Sequence, residues 1–173
     1  MRRHTTFATP VGELTATVLV EDDRAVALTG LYFENHTYPP GSEALGAALD
    51  AGDPLVVSLC EELDEYFASA RTTFDIPLRT TGDPFSERVW ALLREIPHGQ
   101  TTTYGALAER LGVPGQAQRV GQCVGHNPIS ILVPCHRVVG ANGSLTGFAG
   151  GIERKRFLLE LEEPDDAMVV RLF

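Results

Sequence analysis

The sequence predicts an α+β fold, a β-meander with one helix followed by a helical half, and three observations predict it. Residues 4–34 fall into short alternating runs rich in Thr, Val, Leu and Phe, separated by turn residues; this is the pattern of half-buried strands. Two Asp-Pro pairs, Asp53-Pro54 and Asp83-Pro84, each precede a segment with apolar residues at 3–4 spacing. Asp as N-cap with Pro at the first helical position is a helix-start signature. The character then changes at TTGD, 80–83, with strands dominating before it and short helices after it.

Taken in order, HTTFATP, ELTATVLV and AVALTGLYF read as three strands, with VG and EDDR as turns. Residues 35–52 form a Pro- and Gly-bearing loop. LVVSLCEELDEYFASA is the first long helix, with Cys60 on its apolar face as a small core residue. TTFDIPL reads as one more short strand. FSERVWALLREI places Phe85, Val89, Leu92, Leu93 and Ile96 on one apolar stripe, with Trp90 packing beside them. HGQ is a turn. Thr103 caps YGALAERLG, and VPGQ turns the chain into AQRVGQCVGH, a helix-turn-helix candidate. ILVPCHRVV reads as a strand, ANGS as a turn, TGFAGG as a loop and IERKRFLLELE as the last helix. The expected organisation is an N-terminal domain over 1–80, a second domain over 81–163 and a tail over 164–173.

The 173 residues are 43% hydrophobic and 21% charged, the balance of a globular protein with room for one ordinary domain or two small ones. No apolar run approaches the roughly 20 residues of a membrane span. MRRHTTFATPVGE has no apolar core of a secretory signal, so the expectation is a cytoplasmic protein without membrane contact. Cys60, Cys123 and Cys135 are odd in number and lack a C-x-x-C spacing, which fits a reducing compartment. The five histidines show no paired ligand spacing, so neither a metal nor a cofactor is expected. The net charge of −9 is uneven: 1–82 carry 5 Arg against 13 acidic residues, whereas 83–163 carry 8 basic and 8 acidic residues. From 101 to 152 three arginines face one acid, Glu109. The second half therefore permits DNA binding.

The stretch ILVPCHRVVG poses the chemical question, because burying an unpaired Arg or a protonated His costs several kcal/mol, of order ~2–7 for a polar group and more for a charge. A thiolate is a strong soft nucleophile, and an imidazole backed by a carboxylate generates one. Cys135, His136 and Glu162 supply these parts. Neighbours on a regular strand point to opposite faces, so cooperation of Cys135 with His136 requires a backbone bend or a bridging water. Pro134 makes a departure from ladder pairing plausible. Arg137 reads as a buried structural guanidinium with a fixed partner. Lys155 is open between a contact to the site and a surface charge, and His126 reads as exposed.

NPISILVPCHRVVGANGSLTGFAGG, followed by a helix carrying Lys155, Phe157, Leu158, Leu159 and Glu162, resembles the O6-alkylguanine-DNA alkyltransferases. The match runs back through IPHGQTTTYGALAERLG to FSERVW, and its P-C-H-R-V core is highly specific. The resemblance implies a ribonuclease H-like N-terminal domain and a winged helix-turn-helix second domain. It implies DNA repair by direct reversal: one irreversible transfer of an alkyl group from O6-alkylguanine, and from O4-alkylthymine, to Cys135. It further implies that His136 accepts the thiol proton through a water and that Glu162 orients the imidazole. Asn127 would brace the helix-turn-helix against the site. Tyr104 would contact the flipped guanine and its phosphate. Backbone carbonyls at Cys135 and Val138 would read the guanine amino group, with Phe148 and the Ala149 amide covering the base. The implied partner is duplex DNA approached from the minor groove through the helix-turn-helix, by Ala117, Gln118 and Arg119, with a monomer in solution and cooperativity on DNA left open.

The chain departs from the family pattern at AQRVGQCVG, where a gapless match puts Gln118 at the position of the arginine that fills the flipped base's place. Arg119 follows one residue later, about 100° round a helix. The expectation is that Arg119 takes over by a local adjustment, with Gln118 as the alternative. Phe148 and Ala149 replace a usual tyrosine and a common serine. Two other function classes remain: a Cys-His-Glu hydrolase or acyltransferase, which would turn over repeatedly, and a non-enzymatic binder of alkylated DNA. Against the binder stands Cys135 itself, which such proteins generally lack.

Overall fold

The computed structural model describes residues 1–164. Strands β1 (Arg2–Thr9), β2 (Gly12–Glu21) and β3 (Arg24–Phe33) form the meander. All pairs in it are antiparallel. The turn between β2 and β3 places Asp22 and Asp23 both at positive φ, 48° and 61°. That is the backbone twist a tight hairpin requires, and Asp tolerates it. The segment expected to be a plain loop contains a single-turn helix, α1 (Ser42–Leu45), and a two-residue strand, β4 (Ala47–Ala48). Strand β4 pairs parallel with β1, giving the sheet order β3-β2-β1-β4.

Helix α2 (Pro54–Phe67) starts as its sequence dictates: the Asp53 carboxylate accepts from the Leu55 amide at 2.9 Å. Val56, Leu59, Leu63 and Tyr66 form its buried face. Cys60 lies at the edge of that face, half-buried. TTFDIPL is not a strand, because only Leu78 forms a bridge, to Leu28. Its backbone instead caps the free edge of β3, where the Leu28 amide donates to Pro77 O and the Arg79 amide to Leu28 O.

Further along the same edge the Leu31 amide donates to Pro128 O and the Ser130 amide to Leu31 O. An exposed strand edge is a liability, and here both halves of the chain cover it. The segment leading to Cys135 is thereby fixed to the N-terminal sheet.

Helix α3 (Pro84–Leu93) is capped by Asp83, which accepts from Ser86 N at 2.9 Å. Strand β5 (Thr102–Thr103) leads into α4 (Tyr104–Arg110), capped by Thr103 through the Ala106 amide. Helix α5 (Ala117–Gly125) completes the helix pair. Trp90 is structural: its indole N–H donates to Cys123 O at 2.9 Å and ties α3 to α5.

The expected strand ILVPCHRVV is overturned. Cys135–Arg137 is a 3-10 turn, and only Val138–Val139 (β6) is extended, pairing parallel with β5. Pro134 has no N–H to give a ladder and Asn127 binds the backbone of this segment, so the chain bends where a strand would have split Cys135 from His136. Helix α6 (Ile152–Glu162) closes the fold. The expected tail falls, apart from Pro164, outside the described residues.

Candidate active site

Three elements meet at one buried carboxylate. Glu162, at the end of α6, accepts from His136 Nε2 at 2.6 Å and from Tyr66 Oη at 2.5 Å, both on Oε2. Arg137 grips the same group with Nε on Oε1 at 2.7 Å and Nη2 on Oε2 at 3.0 Å, and spends Nη1 on Ile96 O at 2.6 Å. The paradox of three polar residues in an apolar run is resolved: Arg137 and His136 are buried but partnered, as such groups must be. Burial alone would push the Glu162 carboxyl up, yet the bonds from His136 and Arg137 hold it well below the usual carboxylate range. Burial pushes the His136 imidazole down, against the pull of Glu162. With Nε2 donating to Glu162, His136 Nδ1 is the ring nitrogen carrying the lone pair. It is buried and has no hydrogen-bond partner among the described residues.

Cys135 is 6% exposed. Burial raises its thiol, while the Asn127 amide and the Lys155 ammonium act the other way. Asn127 organises the bend. Its Nδ2 donates to Val133 O at 2.8 Å and Ile129 O at 3.3 Å, and its Oδ1 accepts from Ile129 N at 3.0 Å. Between them Ile131 sits at φ 70°, a conformation that costs a β-branched residue on the order of 1–3 kcal/mol. The surrounding bonds from Ser130 and Val133 to Leu31 and Ile129 hold it there. Lys155, left open by its sequence, is fully buried. Its Nζ donates to Thr146 O at 3.2 Å and lies 6.0 Å from the Tyr104 ring centre. Burial brings it down to about 8.

Above this floor lies a cleft of about 680 Å3 lined by Tyr104, Ala117, Gln118, Gly121, Phe148 and Ala149, among others. Tyr104 Oη accepts from Thr146 Oγ1 at 3.2 Å. The Gly-rich loop is pinned from the N-terminal half: Thr37 donates to Ala149 O from its amide at 2.8 Å and its hydroxyl at 3.2 Å. Phe148 packs tilted on Phe33, and a Cβ on Gly150 would collide with the Phe33 ring. Gln118 lines the cleft. Arg119 does not: its guanidinium lies 3.7 Å over the Phe85 ring and donates to Gln116 Oε1 at 3.1 Å. A separate hollow of about 520 Å3 behind α6 has none of Tyr104, Gln118, Phe148 or Ala149 in its lining.

Three contributors came from outside the reading of the motif. Tyr66 carried one signal only, its i, i+3 spacing from Leu63, which places a phenol on a buried face. Thr37 and Tyr38, which also line the cleft, sit in what looked like a connecting loop. His126, read as exposed, is exposed and stacks on Tyr38 at 3.8 Å between ring centres.

A buried thiol beside an imidazole–carboxylate pair, with an open cleft between the helix pair and the Gly-rich loop, defines a protein equipped for cysteine chemistry. Comparison with known proteins makes the class specific. Residues 2–80 match the ribonuclease-like domain of 6-O-methylguanine DNA methyltransferase, and residues 84–164 match its DNA binding domain. The methylated-DNA–protein-cysteine methyltransferase of Mycobacterium tuberculosis is 43% identical, over 94% of this chain and 93% of its own. The constitutive enzyme of that name from Bacillus subtilis is 38% identical, over 94% of this chain and 96% of its own. The crystal structure of Mycobacterium tuberculosis OGT in complex with DNA superposes with a TM-score of 0.81 at 43% identity, covering 93% of this chain and 92% of that one. The chain belongs to the 6-O-methylguanine DNA methyltransferase family.

Proposed function

We propose that this protein repairs O6-alkylguanine in DNA by moving the alkyl group to its own Cys135, once per molecule. The observation that carries the reading is the bend at Pro134, which turns Cys135 and His136 into one turn above Glu162. The target carbon is inside a base stack, so the nucleotide must be extruded to meet the thiol. The cleft under Tyr104, Phe148 and Ala149 receives the base, reading it with the backbone carbonyls of Cys135 and Val138 and the Ala149 amide. As the base seats, the thiol proton passes to His136 Nδ1 through a bridging water. The imidazolium is stabilised by Glu162, and the thiolate by Lys155 and the Asn127 amide. Sγ attacks the alkyl carbon in line, the S–C bond forms as the C–O bond breaks, and the guanine takes a proton with help from Tyr104. The product is a thioether, which no group in the site reverses, so the protein is consumed.

Helix α5 presents Ala117 and Gln118 to the minor groove of duplex DNA. Its Gln118 side chain, already in the cleft lining, is the one placed to fill the space of the extruded base, while Arg119 remains on Phe85 within reach of a phosphate. The protein acts in the cytoplasm, as a monomer, without metal or cofactor. O4-alkylthymine is a second substrate of the same chemistry. Incubation with O6-methylguanine duplex followed by tryptic mass spectrometry is the test. One methyl on the Cys135 peptide, at no more than one per protein, is expected. Methylation of the Cys135→Ala variant, or many turnovers per molecule, would sink the reading.

A further inference from the structure

Glu162 has a fourth donor that no part of the cysteine motif provides. The phenol of Tyr66 comes from α2 in the N-terminal half, 96 residues away, and donates to Oε2 at 2.5 Å. It is 1% exposed. Its ring is held edge-on to Phe67 at 5.3 Å and tilted on Phe74 at 5.5 Å. The hydroxyl therefore cannot swing to another acceptor without disturbing the core. Burial first, and the Glu162 charge second, keep this phenol protonated far above its ordinary range, so it acts only as a donor.

The geometry points to Tyr66 as a positioning residue of the alkyl transfer, one that holds Glu162 Oε2 against His136 Nε2 and takes up part of its charge. This inference rests on the reading of Cys135 as the alkyl acceptor. Oε2 serves three donors: Tyr66 Oη, His136 Nε2 and Arg137 Nη2. Two of them dilute the negative charge that the third, the imidazole, experiences. Without Tyr66, more charge on Oε2 faces His136, and the imidazole keeps its proton to higher pH. A His136 already protonated above an intact thiol accepts nothing from it, so the acid side of the reaction moves up. The same loss frees the carboxylate to rotate, which disorders the ring and lowers the plateau rate. The groups facing this pair are known from every side. They are Cys135 and Arg137 on the turn, Lys155 on α6, Tyr66 on α2, and His98, whose ring lies edge-on to Tyr66 at 6.2 Å. Burial also holds the His98 imidazole below its ordinary range, so His98 has to be controlled.

The test is the pH profile of single-turnover alkylation by the full chain, on O6-methylguanine duplex and on free O6-benzylguanine. Tyr66→Phe keeps the ring and removes one hydrogen bond to a charged group, so the plateau should fall about tenfold. The fall should be equal on both substrates, because the relay acts after the base is seated, and DNA affinity should not change. The acid limb should rise by about half a pH unit or more. Replacing Tyr66 with 3,5-difluorotyrosine keeps the fold and strengthens the donor, and should move the limb down instead. An unmoved limb in both variants, with wild-type protein still methylated on Cys135, overturns the role of Tyr66 and leaves the function standing. A plateau loss with no limb shift reduces Tyr66 to packing and also overturns it. In His98→Asn the wild-type limb should persist; its disappearance assigns the limb to His98 and removes the basis of the inference.

Discussion

The floor of the site around Glu162 and the cleft lined by Tyr104, Gln118 and Phe148 are built differently. Around Glu162, itself 3% exposed, the side-chain partners are fixed: four donor atoms from three residues, all at 3.0 Å or less. In the cleft, Tyr104 has one long bond to an exposed threonine, and Gln118 lines open space. A charge relay works by holding its geometry before the substrate arrives. A surface that is to receive an extruded nucleotide, as proposed above, has to adjust. Damage to the Glu162 cluster should therefore appear in chemistry and folding together, while damage to the cleft should appear only when DNA is the substrate.

Glu162→Gln is the strongest way to break that contrast. It leaves the Arg137 guanidinium buried without a counter-charge, which costs about 3–5 kcal/mol. Denaturant unfolding should show this loss, and the single-turnover rate should fall by about a hundredfold or more on duplex and free base alike. The wild-type carboxyl is depressed in the fold, so its stabilisation is present above the ordinary carboxylate value of 4.5 and fades as pH falls below it. Acid unfolding of the Gln variant should therefore be shallower. If the variant unfolds like wild type, the floor is not the closed cluster described.

Lys155→Met separates chemistry from folding within the floor. The ammonium is fully buried and brought from 10.5 to about 8, so the unfolded chain holds its proton more tightly than the native one. Wild-type stability should gain from this group as pH rises from about 8 to 10.5, and the Met variant should lack that gain. At pH 7 the variant should be no less stable, while its alkylation rate falls about tenfold. A stability loss at pH 7 with an unchanged rate would make Lys155 a packing residue.

The cleft is probed by Gln118→Ala and Arg119→Ala side by side. Gln118→Ala should slow repair of duplex on the order of tenfold and leave free O6-benzylguanine nearly unaffected. Arg119→Ala should be milder on duplex. The reverse ranking would mean that Arg119 leaves Phe85 on binding and takes the inserted position, and equal losses on the free base would remove both from the DNA surface. The smallest effect expected is in salt. With three arginines from 101 to 152, few phosphates can be neutralised, and the log–log slope of affinity against salt should be no steeper than about −5.

Much of this was legible in the chain. The meander, both Asp-Pro helix starts and the Thr103 cap follow from local chemistry, because caps and turns depend on residues within four positions of each other. The cysteine motif was legible as a specific pattern over 127–162, and it drew together Cys135, His136, Asn127 and Glu162. Where the reading failed, periodicity was ambiguous. TTFDIPL and ILVPCHRVV have strand composition, but the first covers a sheet edge with a single bridge and the second is bent by Pro134 and Asn127. Gln118 and Arg119 differ by one residue, about 100° of helix rotation, which sets Arg119 over Phe85 while Gln118 lines the cleft; which of them fills the flipped base's place is decided by the paired variants above.

By itself, then, the sequence determined the α+β order of elements, the helix starts and the family to which they belong, and it singled out Cys135 and His136 as the candidate nucleophile and proton acceptor. Each depends on neighbours in the chain or on a short specific motif. The tertiary structure alone decided what stands around that motif. It placed Tyr66 and Thr37 from the acidic N-terminal half on Glu162 and Ala149, buried Lys155 beside the thiol, and turned Gln118 rather than Arg119 into the cleft. Contacts across about a hundred residues leave no periodic trace, because their spacing is set by how the two halves pack and not by the pitch of any one element.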